Sequence, residues 1–172
     1  GDRVYLTLGY GRTVTALDAA TGETVLTYAG TKGAHEILCY DDMLLLTLGE
    51  PQKYWKADEA MKMVSKEGYT PPFQHYLPPF HKKRVMAVNA DTGNHIWTNS
   101  EPYARGLMPS TLAASNGRVY FQNTDEVVCL DAKSGKLKWK APRSVHRQRL
   151  AWSTPTLVVH DGIVFSADRR AA

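Results

Sequence analysis

Short bursts of apolar and polar residues alternate along most of this chain, cut every few positions by turn residues, a period-two pattern that predicts strands. A turn followed by a β-rich run recurs at Gly1-Asp2-Arg3-Val4-Tyr5-Leu6, at Asp41-Asp42 before Met43-Leu44-Leu45-Leu46, at Asn116-Gly117 before Arg118-Val119-Tyr120-Phe121 and at Asp161-Gly162 before Ile163-Val164-Phe165. Asn-Gly and Asp-Gly between apolar runs are hairpin signals, because both central residues of a type I′ turn need positive φ. Each unit reads as four short strands. Strand A precedes this turn (His35 to Tyr40, Ser110 to Ser115, Thr156 to His160) and strand B follows it. Strand C runs into a second recurring turn and strand D leaves it (Thr24 to Tyr28, His95 to Asn99, Lys136 to Lys140).

The second turn makes the repeat explicit. Ala16-Leu17-Asp18-Ala19-Ala20-Thr21-Gly22 matches Ala87-Val88-Asn89-Ala90-Asp91-Thr92-Gly93 and Cys129-Leu130-Asp131-Ala132-Lys133-Ser134-Gly135, and four residues after each glycine stand Leu26, Trp97 and Trp139. Asn89 and Asp131 lie 42 residues apart and Asp18 and Asn89 lie 71 apart, so one unit carries an insertion. It spans residues 50–83, where the alternation stops and Pro51, Pro71, Pro72, Pro78 and Pro79 crowd in. Within it, Trp55 to Val64 has the pattern of a short amphipathic helix, with Trp55, Met61 and Val64 packing on the sheet, and the Pro-Pro segments predict a stiff, extended arm. In the repeated turn an aspartate or asparagine accepts a bond from a backbone amide two residues on, and glycine supplies the left-handed conformation. The aromatic or leucine then lands on strand D, placed to cover a neighbouring sheet.

These residues resemble the quinoprotein-like β-propeller family, whose blades carry an Ala-x-Asp-x-x-x-Gly-x-x-x-Trp docking motif. Asp131, Gly135 and Trp139 form the closest copy; Asp18 with Gly22, and Asn89 with Gly93 and Trp97, form the others, with Leu26 in place of tryptophan and Asn89 in place of aspartate. The resemblance covers the chain apart from the insertion and implies four-stranded blades around a central channel, with tryptophans bracing neighbouring blades. The expected fold is therefore all-β, a β-propeller segment of about three to four antiparallel blades over residues 1–172, with blade strands in 1–30, 35–99, 110–141 and 154–168 and the 50–83 insertion within the second blade. Trp97 and Trp139 are both expected to be buried between blades, with Trp139→Ala costing about 3 to 5 kcal/mol. Three blades and part of a fourth are fewer than the four to eight of a closed ring, which predicts a piece of a longer chain whose remaining blades are its first partners.

Because strands within a blade alternate in direction, the tight A-to-B and C-to-D turns share one face. The long connections, 49–83, 99–109 and 141–153, share the other. Loops on a rigid scaffold carry binding residues, so function is expected on the long-loop face.

Composition narrows the chemistry. The chain has 172 residues, 43% hydrophobic and 22% charged, with a net charge of +4. That is enough for a cored domain and too little charge to imply nucleic acid by itself. No apolar run approaches the roughly 20 residues of a membrane span, and the start lacks the profile of a signal peptide. Two cysteines far apart exclude a disulfide scaffold and any CxxC motif. Cys129 stands where Ala16 and Ala87 stand in the other copies and is read as a small buried residue; Cys39, in an innermost strand, is read as core filling. His35, His75, His81, His95, His146 and His160 show no HxH or HExxH spacing, so no metal is expected.

Between Asp131 and Asp161 stand seven basic residues and no acidic one. Lys136, Lys138 and Lys140 fit an outermost strand, where lysines discourage edge pairing. Arg143, His146, Arg147, Arg149 and Trp152 precede an innermost strand. With Arg105 from the adjacent loop, Arg147, Arg149 and Trp152 are the anion-binding candidates, since arginine forks match carboxylates and phosphates.

No catalytic residue is identified. The leading functional reading is a non-catalytic propeller segment that serves as a binding or scaffolding surface, with no cofactor. The alternative implied by the resemblance is a fragment of a pyrroloquinoline-quinone-dependent dehydrogenase, with quinone and calcium in the channel. A third reading is anion or nucleic-acid binding through the basic loop. The resemblance implies a bacterial periplasmic or extracellular protein, and a protein partner or anionic small molecule is expected on the long-loop face.

Overall fold

The computed structural model describes residues 2–9, 11–49, 82–143 and 155–167. Among these residues the chain forms a segment of a β-propeller. The first sheet has three strands, β1 (Arg3–Thr7), β2 (Val14–Asp18) and β3 (Thr24–Thr27). The second has four, β4 (Ala34–Tyr40), β5 (Met43–Leu48), β6 (Arg84–Asn89) and β7 (His95–Asn99). A four-residue helix, α1 (Pro102–Arg105), leads to the third sheet, β8 (Ala113–Ser115), β9 (Arg118–Gln122), β10 (Glu126–Asp131) and β11 (Leu137–Pro142). The hairpin β12 (Thr156–His160) and β13 (Ile163–Ala167) forms the fourth. In every sheet, neighbours in space are neighbours in sequence and run antiparallel.

The hairpin turns follow from local chemistry. Asn116 and Gly117 have φ of 50° and 70°, and Asp161 and Gly162 of 47° and 76°, the left-handed pair that a two-residue turn needs. At the second repeated turn, Asp18 Oδ1 accepts from the amides of Ala20 and Thr21 at 2.9 and 2.8 Å. Asp131 Oδ1 accepts in the same way from Lys133 and Ser134 at 3.2 and 3.0 Å. Asn89 Oδ1 accepts from Asp91 and Thr92 at 3.1 and 2.8 Å, so an amide oxygen replaces a carboxylate without losing a bond.

The sheets stack face to face, and this explains a departure from strict alternation. Leu44, Leu46 and Leu48 of β5 enter one core with Val14, Ala16 and Tyr28 of the first sheet, while Leu45 enters another with Val119, Phe121, Val128 and Leu130 of the third. Likewise Val128 and Leu130 of β10 face the second sheet, and Val127 and Cys129 face Leu157 of the fourth. A strand covered on both faces must be apolar at consecutive positions, which is why β5 reads Met-Leu-Leu-Leu-Thr-Leu.

The first and second sheets each present their outer strand to the turn of the next. Trp97 on β7 is buried; its Nε1 donates to the Ala132 carbonyl at 2.8 Å, and a Cβ at Gly135 would fall 2.5 Å from the ring's Cδ2, so that turn accepts the indole only as glycine. One sheet earlier, Leu26 lies against Gly93, while Tyr28 Oη donates to the Ala90 carbonyl at 2.5 Å, the bond that the indole supplies in the next copy.

Two sequence expectations are corrected. Trp139 is not buried between blades: 39% of its surface remains exposed on β11, because the fourth sheet ends at β13 among the described residues and offers no strand-C-to-D turn for the indole to cover. Cys39 is exposed on β4 and does not fill a core. Cys129 is buried. The Trp55 to Val64 helix, His75, His81 and His146 lie outside the described residues.

Candidate functional site

Strand polarity gathers the long connections on one face, and the described residues nearest to them build a polar cluster at the seam of the second and third sheets. β4 and β6 both begin on this face, so His35 and Glu36, early in β4, and Lys83, immediately before β6, lie there. Glu36 shares a strand face with Leu38 and Tyr40, which pack toward the third sheet. A carboxylate is thereby carried into a seam that apolar neighbours would otherwise fill.

There it clamps the connection into β8. Glu36 Oε1 accepts from the Leu112 amide at 3.2 Å, and the Ser110 amide also donates to the carboxylate; Ser110 takes a φ of 59°. Its other oxygen, Oε2, is buried without a hydrogen-bond partner. Burial raises the carboxyl pKa above its ordinary value, opposed by the two backbone donors and by the charge of Lys83.

Lys83 is half-buried beside this carboxyl and donates to the Leu107 carbonyl. Burial lowers its pKa to about 8, with Glu36 acting in the opposite direction. His35 is exposed as a whole, but its ring packs over Gly49, where an added Cβ would lie 2.6 Å from Nε2. Loss of solvent, then the charge of Lys83, holds its pKa below the ordinary value. The seam thus holds a carboxyl whose pKa is raised beside an amine whose pKa is lowered to about 8.

Glu36 and Lys83 belong to no motif and are not site candidates from sequence, and His35 enters there only among the histidines without metal-ligand spacing. The available signal was a charged residue at Glu36 on the same strand face as Leu38 and Tyr40, an arrangement that needs a buried partner.

Of the predicted anion-binding residues, Arg105 is exposed at the end of α1, on the long-loop face. Arg147, Arg149 and Trp152 lie outside the described residues. The helix is tied to the scaffold through Tyr103, whose ring stacks on Phe121 at 6.4 Å and whose hydroxyl accepts from Asn99 Nδ2 at 2.9 Å. Lys138 and Lys140, on the edge strand β11, pair with Asp131 at 3.2 Å and Glu126 at 2.9 Å. The basic run thus meets carboxylates in space that it lacks in sequence.

Among the described residues no three His, Cys, Asp or Glu side chains converge as a metal site requires. No described helix is long and apolar enough to cross a membrane.

Comparison with known proteins gives the lineage. Among solved structures, the quinohemoprotein alcohol dehydrogenase of Pseudomonas putida HK5 aligns with a TM-score of 0.51 at 15% identity, over 82% of this chain and 19% of that one. The quinohemoprotein alcohol dehydrogenase of Comamonas testosteroni gives the same four values, a TM-score of 0.51, 15%, 82% and 19%. BamB from Moraxella catarrhalis aligns at 18% identity over 98% of this chain and 46% of that one, with a TM-score of 0.49. The chain therefore spans less than half the length of each of these structures, and the likeness to the dehydrogenases is one of fold. No curated protein matches. The family model described as outer membrane protein assembly factor BamB matches residues 1–170, and this chain belongs to that family.

Proposed function

We propose that this chain is a non-catalytic segment of a longer propeller whose long-loop face binds a protein partner, in the periplasm or outside the cell. The observation that carries the reading is the division of the two faces. The hairpin turns of one face are closed by their own backbone and side-chain bonds, whereas the other carries the 99–109 connection, tied to the scaffold through Tyr103, and a buried carboxylate oxygen at Glu36 with no partner among the described residues. Rigid support under variable loops is the usual arrangement of a recognition surface. The family's description as an assembly factor agrees with a protein partner.

The alternative, a fragment of a quinone-dependent dehydrogenase, draws on the two alcohol dehydrogenases of similar fold. Anion binding by Arg105 with Arg147, Arg149 and Trp152 is a third reading, of which only Arg105 lies among the described residues.

Photo-crosslinking tests it. A photoreactive residue placed at Arg105 or Thr124, on the long-loop face, is expected to give discrete protein adducts in cells producing the full-length protein. The same residue at Ala20 or Lys133, in the short turns, is expected to give none. Adducts confined to the short turns would overturn the assignment of the face. Stoichiometric uptake of pyrroloquinoline quinone with calcium would favour the dehydrogenase instead.

A further inference from the structure

The chain contains one Asn-Gly pair, Asn116–Gly117, and one Asp-Gly pair, Asp161–Gly162, and both form the tight turn between strands A and B. Their backbones match, with φ of 50° and 70° in the first and 47° and 76° in the second, and all four residues are exposed. Asparagine is chemically labile, most of all before glycine, which has no Cβ to shield its backbone nitrogen from the side-chain carbonyl carbon.

What differs between the two turns is the hold on the glycine. Tyr40, the last residue of β4, packs on the core between the second and third sheets, and its Oη accepts from the Gly117 amide at 2.7 Å. The Gly117 carbonyl accepts from the Ala132 amide at 3.0 Å, so the residue is held at both ends by atoms outside its own hairpin. One sheet on, Ser115 closes β8 as Tyr40 closes β4, but its side chain is too short to reach across as the phenol does. Among the described residues none accepts from the Gly162 amide.

We propose that Asn116 is a site of self-modification, through closure of the Gly117 backbone nitrogen on the Asn116 side chain, and that Tyr40 of the second sheet keeps this site shut. The step balances with water as the only co-reactant. The Gly117 nitrogen gives up its proton and attacks Cγ of Asn116, the Cγ–Nδ2 bond breaks, and Nδ2 leaves with the proton as ammonia. Water then opens the cyclic imide at either carbonyl, leaving aspartate or isoaspartate at 116. To attack, the nitrogen must turn from the phenol toward Cγ, so its bond to Tyr40 Oη has to break first. Isoaspartate lengthens the main chain by a methylene, which a two-residue turn with both φ positive does not absorb, so the bonds of Gly117 to Tyr40 and Ala132 are lost with it. The site lies on the short-turn face and is independent of what the long-loop face binds.

The test ages the folded protein at mildly alkaline pH and follows the amide-to-acid mass change at 116 by peptide mass spectrometry, with the isoaspartyl form separated by chromatography. Tyr40→Phe keeps the ring and removes the acceptor. Conversion of Asn116 is expected to run about fivefold faster in this variant, the equivalent of a hydrogen bond of about 1 kcal/mol at 1.4 kcal/mol per factor of ten. Asp161→Asn gives the fourth sheet the same pair in the same turn. Position 161 is then expected to convert faster than position 116 of the same molecule, at a rate that Tyr40→Phe leaves unchanged. Equal conversion of Asn116 in the parent and in Tyr40→Phe would overturn the proposal, as would conversion in the folded parent at the rate found in urea. Acceleration of 116 and 161 alike by Tyr40→Phe would show that the phenol stabilises the whole fold instead of shutting this site, and would overturn it too.

Discussion

Trp97 and Trp139 occupy one position of the repeat but differ in what covers them, so truncating each to alanine gives different losses. Trp97 leaves 6% of its surface in water and Trp139 39%, a difference of about a third of the residue. With about 200 Å² for a tryptophan side chain, that third is roughly 65 Å², or about 1.6 kcal/mol at 25 cal/mol per Å². Trp97→Ala also removes the indole donor from the buried Ala132 carbonyl, a further cost of about 1 to 3 kcal/mol. Trp97→Ala is therefore expected to be about 3 kcal/mol more destabilising than Trp139→Ala. In a chain of this length that separates the two melting temperatures by roughly 6 to 12 °C. Urea unfolding of the two variants and the parent measures the difference, and Trp97→Phe isolates the hydrogen bond. A gap below about 1 kcal/mol, or a larger loss at Trp139, would refute the reasoning that the next turn determines the value of the indole.

Three further outcomes follow from the same geometry. Gly135→Ala places a Cβ into the Trp97 ring as well as at a φ of 66°, whereas Gly22→Ala, at a φ of 74°, meets nothing within 4 Å. Gly22→Ala should therefore cost only the backbone strain of about 1 to 2 kcal/mol and Gly135→Ala clearly more, as chemical denaturation would record. Lys83 should titrate near 8 when followed by NMR of its isotopically labelled methylated amine. Because its folded pKa lies below its unfolded value, its contribution to stability is fully present above about 10.4 and is lost as pH falls through 8; Lys83→Met should flatten that part of the stability profile. Asp18 is held below the usual carboxylate range by the Thr21 amide first, and Asp131 by the Ser134 hydroxyl first. Stability from both turns is present above the unfolded carboxylate pKa and lost as pH falls through the lower folded value, and Asp131→Asn should remove its share of that acid dependence while keeping the turn.

The architecture was legible because it depends on local chemistry repeated several times. Asp18, Asn89 and Asp131 each form a turn with bonds from their own next few residues, so each copy announces itself without reference to the rest of the chain. The burial of Trp97 was legible for a related reason, since the turn that it covers lies within the same sequence. Trp139 misled because an identical motif says nothing about whether the next turn is present. The Glu36, Lys83 and His35 cluster was silent in sequence because Lys83, just before β6, is far in the chain from β4 and comes near Glu36 only once β4, β5 and β6 pair in one sheet. Cys39 was misjudged for a further reason: β4 packs Leu38 and Tyr40 on one face and Ile37 on the other, and Cys39, two residues beyond Ile37 on that second face, is exposed all the same.

Native-state hydrogen exchange tests the stacking most directly. Strands β5, β9 and β10 send residues into cores on both faces, so their amides are expected to exchange only through global unfolding. The β12–β13 hairpin, covered on one face, is expected to open locally and exchange much faster at the same pH. Protection of β13 equal to that of β9 and β10, or rapid exchange along β5, would contradict the stacked-sheet account.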